Sequence, residues 1–264
     1  MPVYESWVSI IHYILSRPRH SLRRGTGRPT VLLVHGAGLD LWSWPPQVRR
    51  LADTMVYAVD LPGHGQSGGQ ARASIQDYAQ DLHDFVRHEG ITAPVLVGHS
   101  MGGAIALSYA LAHPHRLRGL GLISTGARLA VAPALLEMLR TDPRQAVRQI
   151  VAWAYGPHAD PGLVSLAQER MQQVDPQVIR QDFLACDRFD VRERLDEIQV
   201  PALVLCGSQD RMTPPPLSQY LADHLPHSRY HTVDGVGHML PLEAPQEVAQ
   251  YLAHFLDELA SSST

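Results

Sequence analysis

The chain has 264 residues, 45% apolar and 18% charged, an ordinary globular composition that fits one sizeable domain or one domain carrying an insertion. Its formal net charge of -4 and the absence of a basic run argue against a nucleic-acid partner. All 22 basic side chains are arginine, so Schiff-base chemistry, Ser–Lys dyads and P-loop phosphate binding, which need lysine, are excluded.

The first apolar stretch, from Trp7 to Leu15, is interrupted by His12 and Tyr13, with no positive segment before it and no small-residue cleavage site after it. It reads as a strand rather than a signal peptide. No stretch reaches the length of a transmembrane helix, so the expectation is a soluble cytoplasmic protein without membrane partners. Continuous apolar runs then recur at residues 31–34, 56–59, 95–97, 120–123 and 202–205, each bounded by turn residues. Such runs are expected of strands buried on both faces. Helical patterns lie between and after them. Ile75, Tyr78, Ala79, Leu82, Phe85 and Val86 form one stripe over residues 75–87; residues 101–112 are small and apolar; Val248, Leu252, Phe255, Leu256 and Leu259 recur at helical spacing. Strands alternating with helices predict an α/β fold with a mostly parallel sheet covered on both faces.

This rhythm lapses from residue 126 and resumes at Val200. The intervening stretch reads as four helices, over residues 133–140, 144–154, 162–173 and 177–185, each introduced by a proline as suits a first helical turn. The expected organisation is a core of residues 1–125 and 194–264 and a helical insertion of residues 126–193. Some apolar residues of the insertion are expected to pack on the core and others to line a substrate pocket. No internal repeat is present, and residues 261–264 read as a frayed tail. Cys186 and Cys206 form no CxxC pair and read as buried, reduced thiols.

The chemistry is carried by a few residues. Gly98-His-Ser-Met-Gly102 matches G-x-S-x-G, follows a buried strand and opens a helix, which is the context that pattern requires. It makes Ser100 the candidate nucleophile; the bland alternative is a glycine-rich turn with Ser100 as helix cap. A serine needs a base near neutral pH. Among 15 histidines, His238 stands out on the glycine-containing loop Asp234-Gly-Val-Gly-His238, after a short β-like segment and before the last helix. His99, His113, His115 and His227 are rivals; His99 is fixed beside the nucleophile and is expected to point away from substrate. Asp210, in the turn after the strand at 202–205, is the candidate acid to orient the imidazole, with Asp234 its competitor. An oxyanion hole needs two backbone N–H donors, and Met101 and Ala37 are the candidates.

These features resemble the α/β-hydrolase superfamily, in particular its cap-bearing members, which include carboxylesterases, lactonases and carbon–carbon bond hydrolases. The matching residues are His35-Gly-Ala-Gly38 with Trp42 downstream, Asp60-Leu-Pro-Gly-His-Gly-Gln-Ser67, Gly98-His-Ser-Met-Gly-Gly103, Val200-Pro201 before the strand to Cys206-Gly207, Asp210, and Gly237-His238. The resemblance spans nearly the whole chain and implies a sheet of eight strands with a helical cap after the sixth. Asp60 and His64 are read as structural within it. Ser100 stands where dehalogenases and epoxide hydrolases carry aspartate, which disfavours those chemistries. The longer Gly-Pro-rich oxyanion motif of carbon–carbon hydrolases is absent at Leu39-Asp40-Leu41. The expected activity is therefore hydrolysis of small carboxylic esters of short to medium acyl chain, with lactone or carbon–carbon hydrolysis as the alternative. A ligand-binding protein without turnover is a remote third. No metal and no cofactor is implied, and the assembly is expected to be a monomer or homodimer. Gly36, Leu39, Trp42, His99, Leu136, Leu139, Trp153 and Met239 are the expected pocket residues.

Overall fold

The computed structural model describes residues 10–17 and 28–261. Of the predicted first strand, Trp7 to Ser9 lie outside the described residues, as do tail residues 262–264. The described strands are β1 (Tyr13–Ser16), β2 (Val31–Val34), β3 (Val56–Val59), β4 (Val95–His99), β5 (Gly119–Ile123), β6 (Ala202–Gly207) and β7 (Ser228–Val233). They form one sheet in the order β1-β3-β2-β4-β5-β6-β7, antiparallel only between β1 and β3. The sheet thus has seven strands among the described residues, where eight are expected, and the helical insertion follows the fifth strand rather than the sixth. One described strand precedes β2; it pairs with β3 at the edge of the sheet.

The central strands are fully buried because helices cover both faces. Side chains alternate between the two cores: Leu32 and Val34 pack with helices α2 (Ile75–His88) and α3 (Met101–Ala112). Val31 and Leu33 pack instead with α10 (Pro245–Ser261), joined to the sheet by the short α9 (Leu240–Glu243), and with α1 (Pro46–Arg49). Helix α3 is buried nearly all round, which its small residues Gly102, Gly103, Ala104 and Ala106 permit. Between β6 and β7 lies α8 (Pro215–His224), a helix with no counterpart among the helical patterns found in the sequence. Only Ser218 and Leu221 of it are buried, too narrow a stripe to announce a helix.

The insertion holds α4 (Pro133–Thr141), α5 (Pro143–Ala154), α6 (Pro161–Gln173) and α7 (Pro176–Asp187). Asp-Pro pairs start three of them: the carboxylates of Asp142, Asp160 and Asp175 accept from the N–H groups of Gln145, Leu163 and Gln177, with proline at the first helical position. Their inward faces make a third apolar core, with Leu139, Val147, Ile150, Ile179 and Phe183, joined from the main domain by Met239. Among the described residues no helix is long and apolar enough to cross a membrane.

Candidate active site

Ser100 sits between β4 and α3 with φ 55° and ψ -117°, a conformation costly for a residue with a side chain. Its surroundings enforce it. Ser100 N–H donates to Ile123 O at 2.9 Å, and its carbonyl accepts from Gly103 N–H at 2.9 Å and Thr125 Oγ1 at 2.8 Å. The flanking glycines are steric requirements: a Cβ at Gly98 would lie 2.1 Å from Gly102 O, and one at Gly102 would lie 2.2 Å from Val34 O. Met101 N–H, in the first turn of α3, belongs to the donors that a helix leaves without an internal partner.

Asp210 and His238 meet across two loops at the same end of the sheet. Asp210 Oδ1 accepts from the N–H groups of Met212 and Thr213 at 2.9 and 2.8 Å. Its Oδ2 accepts from Thr213 Oγ1 at 2.9 Å and faces His238 Nδ1 at 2.9 Å. Burial alone would raise the Asp210 pKa; the facing imidazole and the Thr213 donors outweigh it and hold the carboxyl below its usual range. Facing an ionised carboxylate, Nδ1 of His238 carries the proton, and Nε2 is left able to accept one. Asp234, the alternative acid, accepts instead from Ser208 Oγ at 2.8 Å on an exposed turn.

The loop of His238 is braced from several sides. His99 Nε2 lies 2.9 Å from the His238 carbonyl and donates to it. Burial first, then the nearby His238, lowers the His99 pKa to about 3, so the ring is neutral. Met239 N–H donates to Ala154 O at 3.0 Å, at the end of α5. Glu243 Oε2 accepts from Gly156 and Gly237 N–H at 2.9 and 3.2 Å.

The loop after β2 turns tightly. Gly36 O accepts from His35 Nδ1 at 2.8 Å and from Leu39 N–H at 3.3 Å, while Gly38 takes φ 63°. His35 Nε2 accepts from Leu61 N–H at 3.0 Å. Asp60 is fully used by structure: it accepts from Leu41 and Gln66 N–H and faces His12 Nδ1. His64 faces Asp182.

Ser100 and His238 share the wall of a cavity of about 400 Å³ between the ends of the strands and the insertion. Of the expected wall residues, Gly36, Leu39, His99, Trp153 and Met239 line it, with Ala37 beside them. His99 is thus part of the wall, although its Nε2 is turned to the His238 carbonyl. Trp42, Leu136 and Leu139 do not line it. Trp42 is 44% exposed, with the Arg49 guanidinium 4.6 Å over its ring, and Leu139 is consumed by the insertion's own core. Leu136, on the same helix, is only partly buried against that core. Leu135, Ile150, Met171 and Phe183, insertion residues outside the expected pocket set, supply much of the apolar lining. Cys186 lies there too, its thiol pushed up first by burial and then by Asp182 and Asp187; both cysteines are free and buried. Arg211, which is exposed, is the one arginine or carboxylate in the lining among the described residues.

A sequence model of the Alpha/beta hydrolase family matches residues 31–251. A pimeloyl-[acyl-carrier protein] methyl ester esterase of Neisseria meningitidis serogroup C is 31% identical over 242 residues, covering 86% of this chain and 93% of the relative. A thermophilic esterase of Thermogutta terrifontis superposes with TM-score 0.83 at 26% identity, over 95% of this chain and 94% of that one. The enol-lactonase of Burkholderia xenovorans LB400 does so with TM-score 0.84 at 25% identity, over 94% and 96%. With this match over most of its length, on a mostly parallel sheet carrying Ser100 just after β4, the chain belongs to the alpha/beta hydrolase family.

Proposed function

We propose that this protein hydrolyses carboxylic esters of short to medium, uncharged acyl chains through an acyl-enzyme on Ser100, with His238 as base and Asp210 as its orienting acid. The observation that carries this is the 2.9 Å contact from Asp210 Oδ2 to His238 Nδ1, beside a serine in a strained strand-to-helix turn on the same cavity. The esterase relatives support it, and the largely apolar wall favours uncharged acyl groups.

In this mechanism Ser100 Oγ attacks the ester carbonyl carbon as its proton passes to His238 Nε2. The carbonyl oxygen becomes an oxyanion, held by the N–H groups of Met101 and Ala37. The tetrahedral species collapses, the carbon–oxygen bond to the alcohol breaks, and His238 returns its proton to that oxygen. Water then attacks the acyl carbon, giving a proton to His238, which protonates departing Ser100. Asp210 stays ionised throughout and stabilises the imidazolium. Residues 126–193 act as a cap whose inner faces shape the acyl site, and Leu39, Trp153 and Met239 set its width.

The likeness to an enol-lactonase keeps lactone hydrolysis as a second reading. Hydrolysis of p-nitrophenyl acetate, butyrate and octanoate, run beside γ- and δ-lactones, tests both. Turnover highest on acetate or butyrate supports the ester reading. Turnover confined to lactones selects the second, and a preference for p-nitrophenyl palmitate or for charged esters added to the panel contradicts the assigned substrate class.

A further inference from the structure

Asp182 belongs to inserted helix α7, is fully buried, and spends its carboxylate on the core. Its Oδ2 accepts from Gly38 N–H at 2.8 Å and faces His64 Nε2 at 2.7 Å, and its Oδ1 accepts from Tyr78 O–H at 2.6 Å. The partners of the His64 ring define its charge. Nδ1 lies 3.1 Å from the Pro62 carbonyl, which can only accept, and Nε2 faces the carboxylate. Two acceptors on two ring nitrogens require a proton on each, so His64 is an imidazolium. Burial alone would lower its pKa; the charge and hydrogen bond of Asp182, with Pro62 O and Asp60, outweigh burial and raise it. His35, with its ring centroid 5.0 Å away, is neutral and adds no opposing charge.

A fully buried ion pair adds little stability over apolar side chains of the same volume. The carboxylate of this pair also accepts from Gly38 N–H and so joins the insertion to the residue next to Ala37, a proposed oxyanion donor. The same loop touches the insertion sterically: a Cβ at Gly38 would meet Ile179 Cγ1 at 3.2 Å and Met171 Cε at 3.3 Å, on α7 and α6.

We propose that Asp182 is a positioning residue for the oxyanion hole: its ion pair with His64 and its bond to Gly38 N–H hold the loop of Ala37 in place only while α7 is seated. The hole is then complete only beneath a closed insertion. This inference rests on the ester-hydrolase reading above.

The test compares wild type, Asp182→Asn and the double variant D182L/H64L in p-nitrophenyl butyrate hydrolysis and in inhibition by phenylboronic acid, which forms a tetrahedral adduct on an active serine. Replacing both charges with leucine removes the acceptor of Gly38 N–H without leaving a lone buried charge. The double variant is expected to lose roughly tenfold or more in kcat, less than the loss of a whole oxyanion donor. Its KM is expected to stay within about threefold of wild type, as for an interaction made chiefly in the transition state. Boronate affinity is expected to fall in parallel with kcat. A folded D182L/H64L with wild-type kcat and boronate affinity overturns the proposal, as does an effect confined to thermal stability. If neither variant folds, nitrogen-15 NMR of histidine-labelled wild type decides: both ring nitrogens of His64 protonated near neutral pH is expected, and a neutral ring overturns the proposal. A wild type without turnover on any ester fails the underlying reading instead.

Discussion

Gly156, just past the end of α5, and Gly237, next to His238, pack backbone against backbone: a Cβ at Gly237 would come within 2.3 Å of Gly156 N and 2.6 Å of Tyr155 C. Both obstructing atoms are main chain, so no side chain can swing aside. Gly237→Ala must shift either the loop of His238 or the exit from α5. The expected result is a stability loss of about 1–3 kcal/mol, as for overpacking, with a fall in kcat. Urea denaturation and ester kinetics check this, and wild-type values for both would contradict it.

Thr213 tightens the pair of Asp210 and His238 from the side. Its hydroxyl donates to Asp210 Oδ2 at 2.9 Å and its oxygen lies 3.1 Å from His238 Nδ1. Thr213→Val keeps the shape and removes the donor. A hydrogen bond to a charged group is worth about 1.5 kcal/mol or more, so kcat/KM is expected to fall about tenfold. Unchanged kcat/KM in the valine variant would show that the hydroxyl does not brace the acid.

Two leucines one turn apart on α4 separate packing from substrate contact. Leu139 belongs to the insertion's core and is 1% exposed, whereas Leu135 also lines the cavity. Leu139→Ala is expected to cost about 2–5 kcal/mol in stability and to leave the acyl-chain profile alone. Leu135→Ala is expected to lengthen the preferred acyl chain. Identical chain-length profiles for the two variants would mean that the wall is wrongly assigned.

Acid is expected to unfold the protein through two buried histidines. Burial, and then His64 beside His35 and His238 beside His99, lowers both pKa values from 6.5 to about 3. Between those limits the unfolded chain binds protons that the folded chain refuses, so stability falls as pH drops from about 6.5 toward 3. The depressed Asp210 adds a loss in the same direction below the usual carboxylate range. Urea midpoints measured down this range should fall steadily. His99→Gln, whose amide can still donate to the His238 carbonyl, should reduce the slope by about one proton. A slope unchanged in that variant would mean that His99 is charged in the folded state.

What could be read from the sequence was whatever is fixed locally. Residues 31–34 and 56–59 announce strands because burial on both faces removes every polar position from the run. The Ser100 turn is legible in part because Gly98 is demanded by atoms a few residues away, Gly102 O and Gly103 N, whereas Gly102 answers to the distant Val34 O. The wall of the cavity was not legible to the same degree. Leu135, Leu136 and Leu139 look alike in sequence, and only the packing of α4 on α5 and α7 decides which of them lines the cavity. The strand count came from resemblance rather than from apolar runs, and it was one too high for the described residues. The pair of His64 and Asp182 left no trace at all: its members are 118 residues apart, and each taken alone is an ordinary polar side chain.

Ser100 is proposed to carry the acyl group, and intact-protein mass spectrometry with a fluorophosphonate reads that bond itself. One adduct per chain is expected on the wild type, localised to Ser100 by peptide mapping, with loss of ester turnover in step with labelling. Ser100→Ala should take up no label and show no turnover above background. Labelling at another residue, or ester turnover that survives in Ser100→Ala, would contradict the account.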